Sequence, residues 1–353
     1  MTQFHALTVA DRRRETDAAV SIAFAVPEAL RDAFAFTPGQ YLTLRTTLDG
    51  REERRSYSIC SGLDDGELRI AIKCLPGGRF SAWAHAALQA GACVEVLPPE
   101  GRFMLPAEAG QVYAGFAAGS GITPVMSILK SVLTRQADSR FFLFYGNRGR
   151  SDIIFRAALD DLKDRFMNRL SVVHVLSREH QDSPVLHGRL DGEKLRQLLN
   201  GVVPAAAIDA AFVCGPAGMI ETVTEALVAA GVPDGRIRAE RFTASGSPAP
   251  EPAPAPGADA AAVVATIIVH GGRTEVPVKP GEAVLDAALR AGLDLPWSCR
   301  DGICSTCRAK LVEGSAEMAR NFALEPWETD EGFILTCQAR PTSARLTVDY
   351  DAV

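Results

Sequence analysis

The chain has 353 residues, 47% of them hydrophobic and 23% charged, with 37 Lys/Arg against 43 Asp/Glu and a formal charge of −6. That length calls for two or three domains with cores of ordinary size, and the mild acidity excludes a basic nucleic-acid face. No apolar run reaches membrane-spanning length and Met1-Thr2-Gln3-Phe4-His5 has no basic segment leading into an apolar one, so a cytoplasmic chain without a membrane span is expected, its eight cysteines reduced rather than paired.

Residues 1–106 set short β-type runs, such as Tyr41-Leu42-Thr43-Leu44 and Leu68-Arg69-Ile70-Ala71-Ile72, between turns at Pro38-Gly39, Asp49-Gly50 and Pro76-Gly77-Gly78. That pattern predicts an antiparallel β-barrel. In Arg55-Ser56-Tyr57-Ser58, strand alternation sends Arg55 and Tyr57 to one face. A flavin dinucleotide needs a cation for its pyrophosphate, a flat ring against the isoalloxazine and a hydroxyl near N5. Arg55, Tyr57 and Ser58 supply one each, although an ordinary exposed strand carries the same residue types. Gly77, Gly78 and Ser81 form a turn opening into a helix, whose free N–H groups and hydroxyl suit a phosphate. Lys73, closing the preceding run, joins these candidate cofactor-binding residues. Cys60, Cys74 and Cys93 have no such context and are expected to be buried, inert thiols.

Residues 107–243 change character. Apolar runs at Phe141–Tyr145, Leu170–Val175 and Ala210–Val213 alternate with helical stretches at 124–133 and 220–230, which predicts a parallel α/β sheet. Ala114-Gly115-Phe116-Ala117-Ala118 runs into Gly119-Ser120-Gly121-Ile122-Thr123-Pro124. Gly119 and Gly121 let backbone approach a pyrophosphate, and Pro124 fits a first helical turn, where its missing N–H costs nothing. Cys214-Gly215 closes a predicted strand, at the edge where α/β sheets bind ligands. Ser177-Arg178 follows another, and a hydroxyl beside a guanidinium fork can grip a 2′-phosphate, with Arg148 as a second cation. The same arginines also fit a solvated loop. Glu240-Arg241-Phe242 ends the segment.

Residues 244–262 are an Ala/Pro linker that favours extended polyproline II, a semi-rigid tether or a passive connection. Residues 263–353 carry nine Lys/Arg against thirteen Asp/Glu, so this last module is the acidic one and can steer toward a basic partner. It holds Cys299, Cys304, Cys307 and Cys337, in the order C-x4-C-x2-C followed by a distant cysteine. That is the plant-type spacing for a [2Fe-2S] cluster, three thiolates from one loop and the fourth from elsewhere. A zinc site is the competing reading, but structural zinc usually takes close ligand pairs and Cys337 has no neighbour.

On these residues the last module resembles plant-type ferredoxins of the β-grasp, α+β kind, and the first two resemble the ferredoxin-NADP reductase superfamily. The resemblance implies FAD held by the Arg55–Ser58 strand and the Gly77–Ser81 turn. It also implies a nicotinamide dinucleotide on the Gly119–Pro124 loop, Thr123 near the flavin, Cys214 beside nicotinamide C4, and Phe242 near the flavin's other face. A Ser-Arg pair such as Ser177-Arg178 implies NADPH, with NADH as the alternative. Ser58, Thr123 and Cys214 are thereby the expected catalytic residues. The module order is similar to that of reductase components of bacterial multicomponent oxygenases. Phe4–Val9, Arg55–Cys60, Leu186–Leu195 and Gln338-Ala339 resemble most the reductase subunits of phenylacetyl-CoA epoxidases. The implied partner is a di-iron oxygenase subunit; a dioxygenase, a demethylase or a hybrid-cluster protein would need the same supply. The reading from another class is a zinc-binding nucleotide sensor without enzymatic activity.

Overall fold

The computed structural model describes residues 3–106, 111–242 and 263–352. These belong to two compact units, Gln3–Phe242 and the ferredoxin-like residues 263–352. The Ala/Pro linker expected at 244–262 lies outside the described residues.

The first unit begins with β1 (His5–Thr16), β2 (Ala19–Ala25), β3 (Tyr41–Leu48), β4 (Arg51–Ser58), β5 (Leu68–Lys73), helix α1 (Arg79–Ala87) and β6 (Cys93–Val96). The strands form one antiparallel sheet in the order β4-β3-β6-β1-β2-β5. An isolated bridge between Ile59 and Ile70, with Cys60 N–H donating to the Arg69 carbonyl at 2.8 Å, joins the two ends into a barrel. Closure removes the exposed edges of an open sheet. Leu7, Ile22, Leu42, Leu44, Ile59, Ile70 and Ile72 fill the interior. On β6 the alternation turns Cys93 and Glu95 outward, so Cys93 is exposed rather than buried; Cys74 is half-buried, and only Cys60 is the inert core thiol expected. Burial pushes the Cys60 thiol up to about 12.

The same unit continues through β7 (Val112–Ala118), α2 (Ile122–Arg135), β8 (Arg140–Asn147), α3 (Arg156–Arg165), β9 (Leu170–Leu176), α4 (Gly192–Val202), β10 (Ala210–Gly215), α5 (Ala217–Ala229) and β11 (Ile237–Arg241). The strands are all parallel, ordered β11-β10-β7-β8-β9. Helices cover both faces, as the near-continuous apolar strands require. Because β7 pairs with β8 on one side and β10 on the other, the strand order reverses at β7, and the crevice beyond the carboxyl ends of β7 and β10 is where such sheets bind ligands.

The second unit contains β12 (Val263–Val269), β13 (Gly272–Val278), α6 (Val284–Arg290), β14 (Arg308–Glu313), β15 (Ala316–Met318), α7 (Pro326–Asp330), β16 (Phe333–Leu335), β17 (Ala339–Pro341) and β18 (Arg345–Asp349). Its main sheet, β13-β12-β18-β14-β16, is mixed: β12 and β18 run parallel and the other pairs antiparallel. Helix α6 buries Val284, Leu285, Ala287 and Ala288 in the core of this unit. Among the described residues no helix is long and apolar enough to cross a membrane.

One buried cation ties the barrel's closing strand. Arg69, on β5 and 4% exposed, donates to Asp11 at 2.5 Å, Glu67 at 2.7 Å and Ser21 at 2.9 Å. Its guanidinium draws the Asp11 carboxyl below the usual range, chiefly through that hydrogen bond. Arg69→Met leaves these acceptors facing an apolar stem and should lower stability by about 3 kcal/mol, toward the low end for breaking a buried pair because the carboxylates are partly solvated. Urea denaturation measures this; a change below about 0.5 kcal/mol would place the network among surface pairs.

Candidate redox centres

The crevice beyond β7 and β10 is shaped first by glycine. A Cβ on Gly121 would sit 2.1 Å from the carbonyl oxygen of Cys214 and 2.5 Å from its carbon, so only a hydrogen fits between the β7 loop and the end of β10. Gly119 adopts φ +54°, and the hydroxyl of Tyr145 donates to its carbonyl at 2.9 Å. Thr123 is buried and its Oγ1 donates to the Ser120 carbonyl at 3.0 Å, while Pro124 lies buried in the first turn of α2. A Cβ on Gly215 would press on the Met219 methyl at 2.6 Å. Lys73, at the end of β5, brings Nζ within 3.5 Å of where a Gly119 Cβ would be. The barrel therefore places a cation beside the Gly119–Pro124 loop of the α/β sheet.

Three side chains from distant parts of the chain converge at this crevice. Cys214 is paired with Glu240 across the parallel β10–β11 register, and Ser58 Oγ donates to Glu240 Oε2 at 3.4 Å. Burial pushes Glu240 up to about 8, against a smaller opposing effect of the Ser58 hydrogen bond. Burial, reinforced by the Glu240 charge, also holds the Cys214 thiol far above its ordinary range. Cys214 is thus a neutral thiol, fitted for contact rather than attack. Glu240 was not among the residues singled out from sequence. A glutamate on a terminal strand has no local signature, and its significance comes from the register that sets it opposite Cys214.

On the barrel, Tyr57 is half-buried against Phe80, with ring centroids 5.9 Å apart, and Arg55 is exposed and paired with Glu53 at 3.0 Å. Gly77 turns with φ +73° into Gly78, the N-cap of α1. Ser81 differs from expectation: its hydroxyl donates to the Gly78 carbonyl at 3.1 Å and accepts from Leu75 N–H at 3.2 Å. The hydroxyl holds the turn together, and the free N–H groups of α1 are what the turn presents to an anion. At the far end of the sheet, Arg148 and Arg178 are exposed and joined through their backbones, Arg178 N–H to the Arg148 carbonyl at 2.8 Å, with half-buried Ser177 alongside. Phe242 is half-buried against the α2 side of the sheet.

In the second unit the four cysteines form two pairs. Cys299 interacts with Cys304 and Cys307 with Cys337, which draws Cys299 and Cys337 down and pushes Cys304 and Cys307 up. Backbone N–H groups of Cys299 and Asp301 point at the sulfurs of Cys304 and Cys299, at 3.5 and 3.3 Å. The loop turns through left-handed Arg300, Gly302 and Ser305, at φ +58°, +76° and +54°. Among the described residues no three His, Cys, Asp or Glu side chains are gathered for a single metal ion. Two thiol pairs with amide donors suit a two-iron cluster, which takes two sulfur ligands at each iron.

Comparison with known proteins shows which families the modules resemble. The description "Oxidoreductase FAD-binding domain" matches residues 7–105, "Oxidoreductase NAD-binding domain" residues 116–225, and "2Fe-2S iron-sulfur cluster binding domain" residues 267–342. The chain is 43% identical over its full length to one of the subunits of 1,2-phenylacetyl-CoA epoxidase of Escherichia coli, covering 99% of that protein. It is 36% identical over 98% of its length to the ferredoxin reductase component of 3-ketosteroid-9-alpha-monooxygenase of Rhodococcus rhodochrous, covering 96% of that protein. Among solved structures, phthalate dioxygenase reductase shares the fold with a TM-score of 0.60 at 23% identity, over 98% of both chains.

Two substitutions probe the crevice. Gly121→Ala forces the loop off Cys214 and should slow flavin reduction by a nicotinamide dinucleotide about 100-fold, the scale of an ångström's misplacement. Flavin and iron contents should stay at parental levels, and Gly218→Ala, where an added Cβ meets nothing within 4 Å, should match the parent. Equal rates for both variants would remove the close approach from the site's geometry. For Glu240 the sign follows from proton uptake: a carboxyl at about 8 when folded and near 4.5 when unfolded binds more protons in the folded state between those values. Stability then falls as pH rises from about 5 to 8. Glu240→Gln should flatten this decline in thermal melts, and an unchanged slope would show that Glu240 is ionised throughout. The chain belongs to the ferredoxin-reductase family of FAD- and NAD-binding oxidoreductases that carry a C-terminal 2Fe-2S domain.

Proposed function

We propose that this chain is the reductase component of a multicomponent oxygenase, most specifically one that epoxidises the ring of phenylacetyl-CoA. The observation that carries the acceptor is the 43% identity, end to end, with a component of the E. coli epoxidase. A bound FAD would supply the conversion between two-electron hydride chemistry and the one-electron chemistry of a [2Fe-2S] cluster. Everything else is positioning by the protein. Arg55 and the N–H groups after Gly77 and Gly78 would hold the flavin's pyrophosphate, with Ser81 bracing the turn, and Tyr57 and Phe242 would supply aromatic surface for the isoalloxazine.

Gly119, Gly121, Thr123, Pro124 and Gly215 seat the nicotinamide dinucleotide, with Lys73 next to its phosphates. Cys214 presses neutral sulfur on the nicotinamide side and Ser58 orients the reacting face. Glu240 keeps a proton on its carboxyl at neutral pH, hydrogen-bonded to Ser58, which avoids a buried negative charge where hydride arrives. Arg148, Ser177 and Arg178 form the 2′-phosphate site, which favours NADPH over NADH. Cys299, Cys304, Cys307 and Cys337 ligate the cluster. We assign residues 1–106 to the flavin domain, 107–243 to the nicotinamide domain, 244–262 to a linker and 263–353 to the ferredoxin domain, in a cytoplasmic protein whose partner is a di-iron oxygenase subunit.

An anaerobic visible titration tests the electron path. The purified protein should show flavin and iron–sulfur absorption that bleach together with NADPH at lower concentration than with NADH. A colourless protein would overturn the reading in favour of a nucleotide-binding zinc protein, and equal response to NADH would remove the 2′-phosphate site. For the acceptor, addition of phenylacetyl-CoA oxygenase subunits should give NADPH oxidation that depends on phenylacetyl-CoA. Turnover only with a ketosteroid oxygenase component would move the assignment to the steroid relatives.

A further inference from the structure

Cys337 is delivered to its site by a turn between β16 and β17, and both of its neighbours are fastened to the three-cysteine loop. On one side, Thr336 accepts from the Tyr350 hydroxyl at 2.7 Å and donates Oγ1 to the Cys307 carbonyl at 2.9 Å. On the other, the amide of Gln338, only 9% exposed, donates Nε2 to the Arg300 carbonyl at 2.7 Å. The same nitrogen lies 3.2 Å from the Cys337 carbonyl and 3.5 Å from the Cys337 sulfur, so two N–H bonds are shared among three acceptors. The stem of Gln338 also packs where a Gly302 Cβ would be, at 3.1 Å.

Arg300 is the residue most in need of such a hold. It stands in the left-handed region at φ +58°, which a non-glycine residue occupies only when its surroundings impose it. Its guanidinium lies 4.2 Å over the Trp297 ring and 3.6 Å from Asp286, so the side chain is braced outside the loop while Gln338 anchors the carbonyl. An apolar residue at 338 would free the loop carbonyl and withdraw a donor from the sulfur in one change.

We propose that Gln338 is a positioning residue of the iron–sulfur site, which locks the Arg300 turn to the fourth cysteine and donates an N–H to the Cys337 sulfur. The inference rests on the assignment of the four cysteines as ligands. Donors to ligand sulfur stabilise the extra electron and raise the reduction potential. The test is an EPR-monitored reductive titration of the full-length holoprotein and of Gln338→Leu, together with the loss of visible absorbance under an iron chelator. Gln338→Leu should have a more negative cluster potential, an unmoved flavin potential and a several-fold faster loss of iron. A cluster potential equal to the parent's overturns the proposal, whatever the rate of iron loss.

Should Gln338→Leu fail to load, the parent decides. With glutamine side chains labelled by 15N, pulsed EPR of the reduced cluster should show a coupled 15N, and no coupling overturns the proposal. A parent that holds no iron overturns the ligand assignment and this proposal with it. An iron-loaded parent without the potential shift overturns this proposal alone.

Discussion

The contact between Gly121 and the Cys214 carbonyl is the constraint on which the first unit's chemistry depends. Parallel strands lie at a fixed spacing, and the loop leaving β7 must cross the end of β10 to reach α2. With a side chain at Gly121 it would ride outward; with hydrogen it lies against the carbonyl. The Gly119–Gly121 turn that leads into α2 then lies at the end of β10, where the strand order reverses. β11, in register with β10, carries Glu240 to the same depth, and barrel closure through Ile59 and Ile70 brings Ser58 from the other side. One short backbone approach thus aligns residues 182 positions apart.

The electrostatics of that crevice follow from its dryness. Burial raises both the thiol of Cys214 and the carboxyl of half-buried Glu240, so these two neighbouring groups are both held neutral. The cations stand further out: Lys73 by the glycine loop, Arg55 on the barrel strand, Arg148 and Arg178 at the sheet's far edge. Fixed positive charge thus lies outside the crevice and neutral polar groups lie within it, a separation that suits a ligand with charged phosphates and an uncharged reacting end.

What the sequence made legible was the local chemistry. The three-cysteine loop from Cys299 to Cys307, the turn opening into α1 and the Gly119–Pro124 loop each fit within a dozen residues, and a short segment fixes its own backbone geometry. Strand and helix classes were equally readable, because unbroken apolar runs flanked by helices leave few alternatives to a parallel sheet. Glu240 was not legible, since its function arises from register with Cys214 and reach to Ser58. Nor was the engagement of Ser81 inside its own turn, because a serine hydroxyl near a helix start satisfies phosphate and backbone equally well on paper. Cys93 failed for a simpler reason: a four-residue strand with alternating burial presents alternate residues to water, and the parity was not visible from composition.

The two units solve opposite problems with the same means. In the crevice, burial keeps Cys214 protonated. Cys299 and Cys304 are half-buried, and backbone N–H groups face their sulfurs. The backbone that does this is strained, with Arg300 and Ser305 left-handed, and strain of that kind persists only where neighbouring contacts over-determine it. Amide direction, set by a few unusual backbone angles, is a difference between the surroundings of Cys299 and those of Cys214.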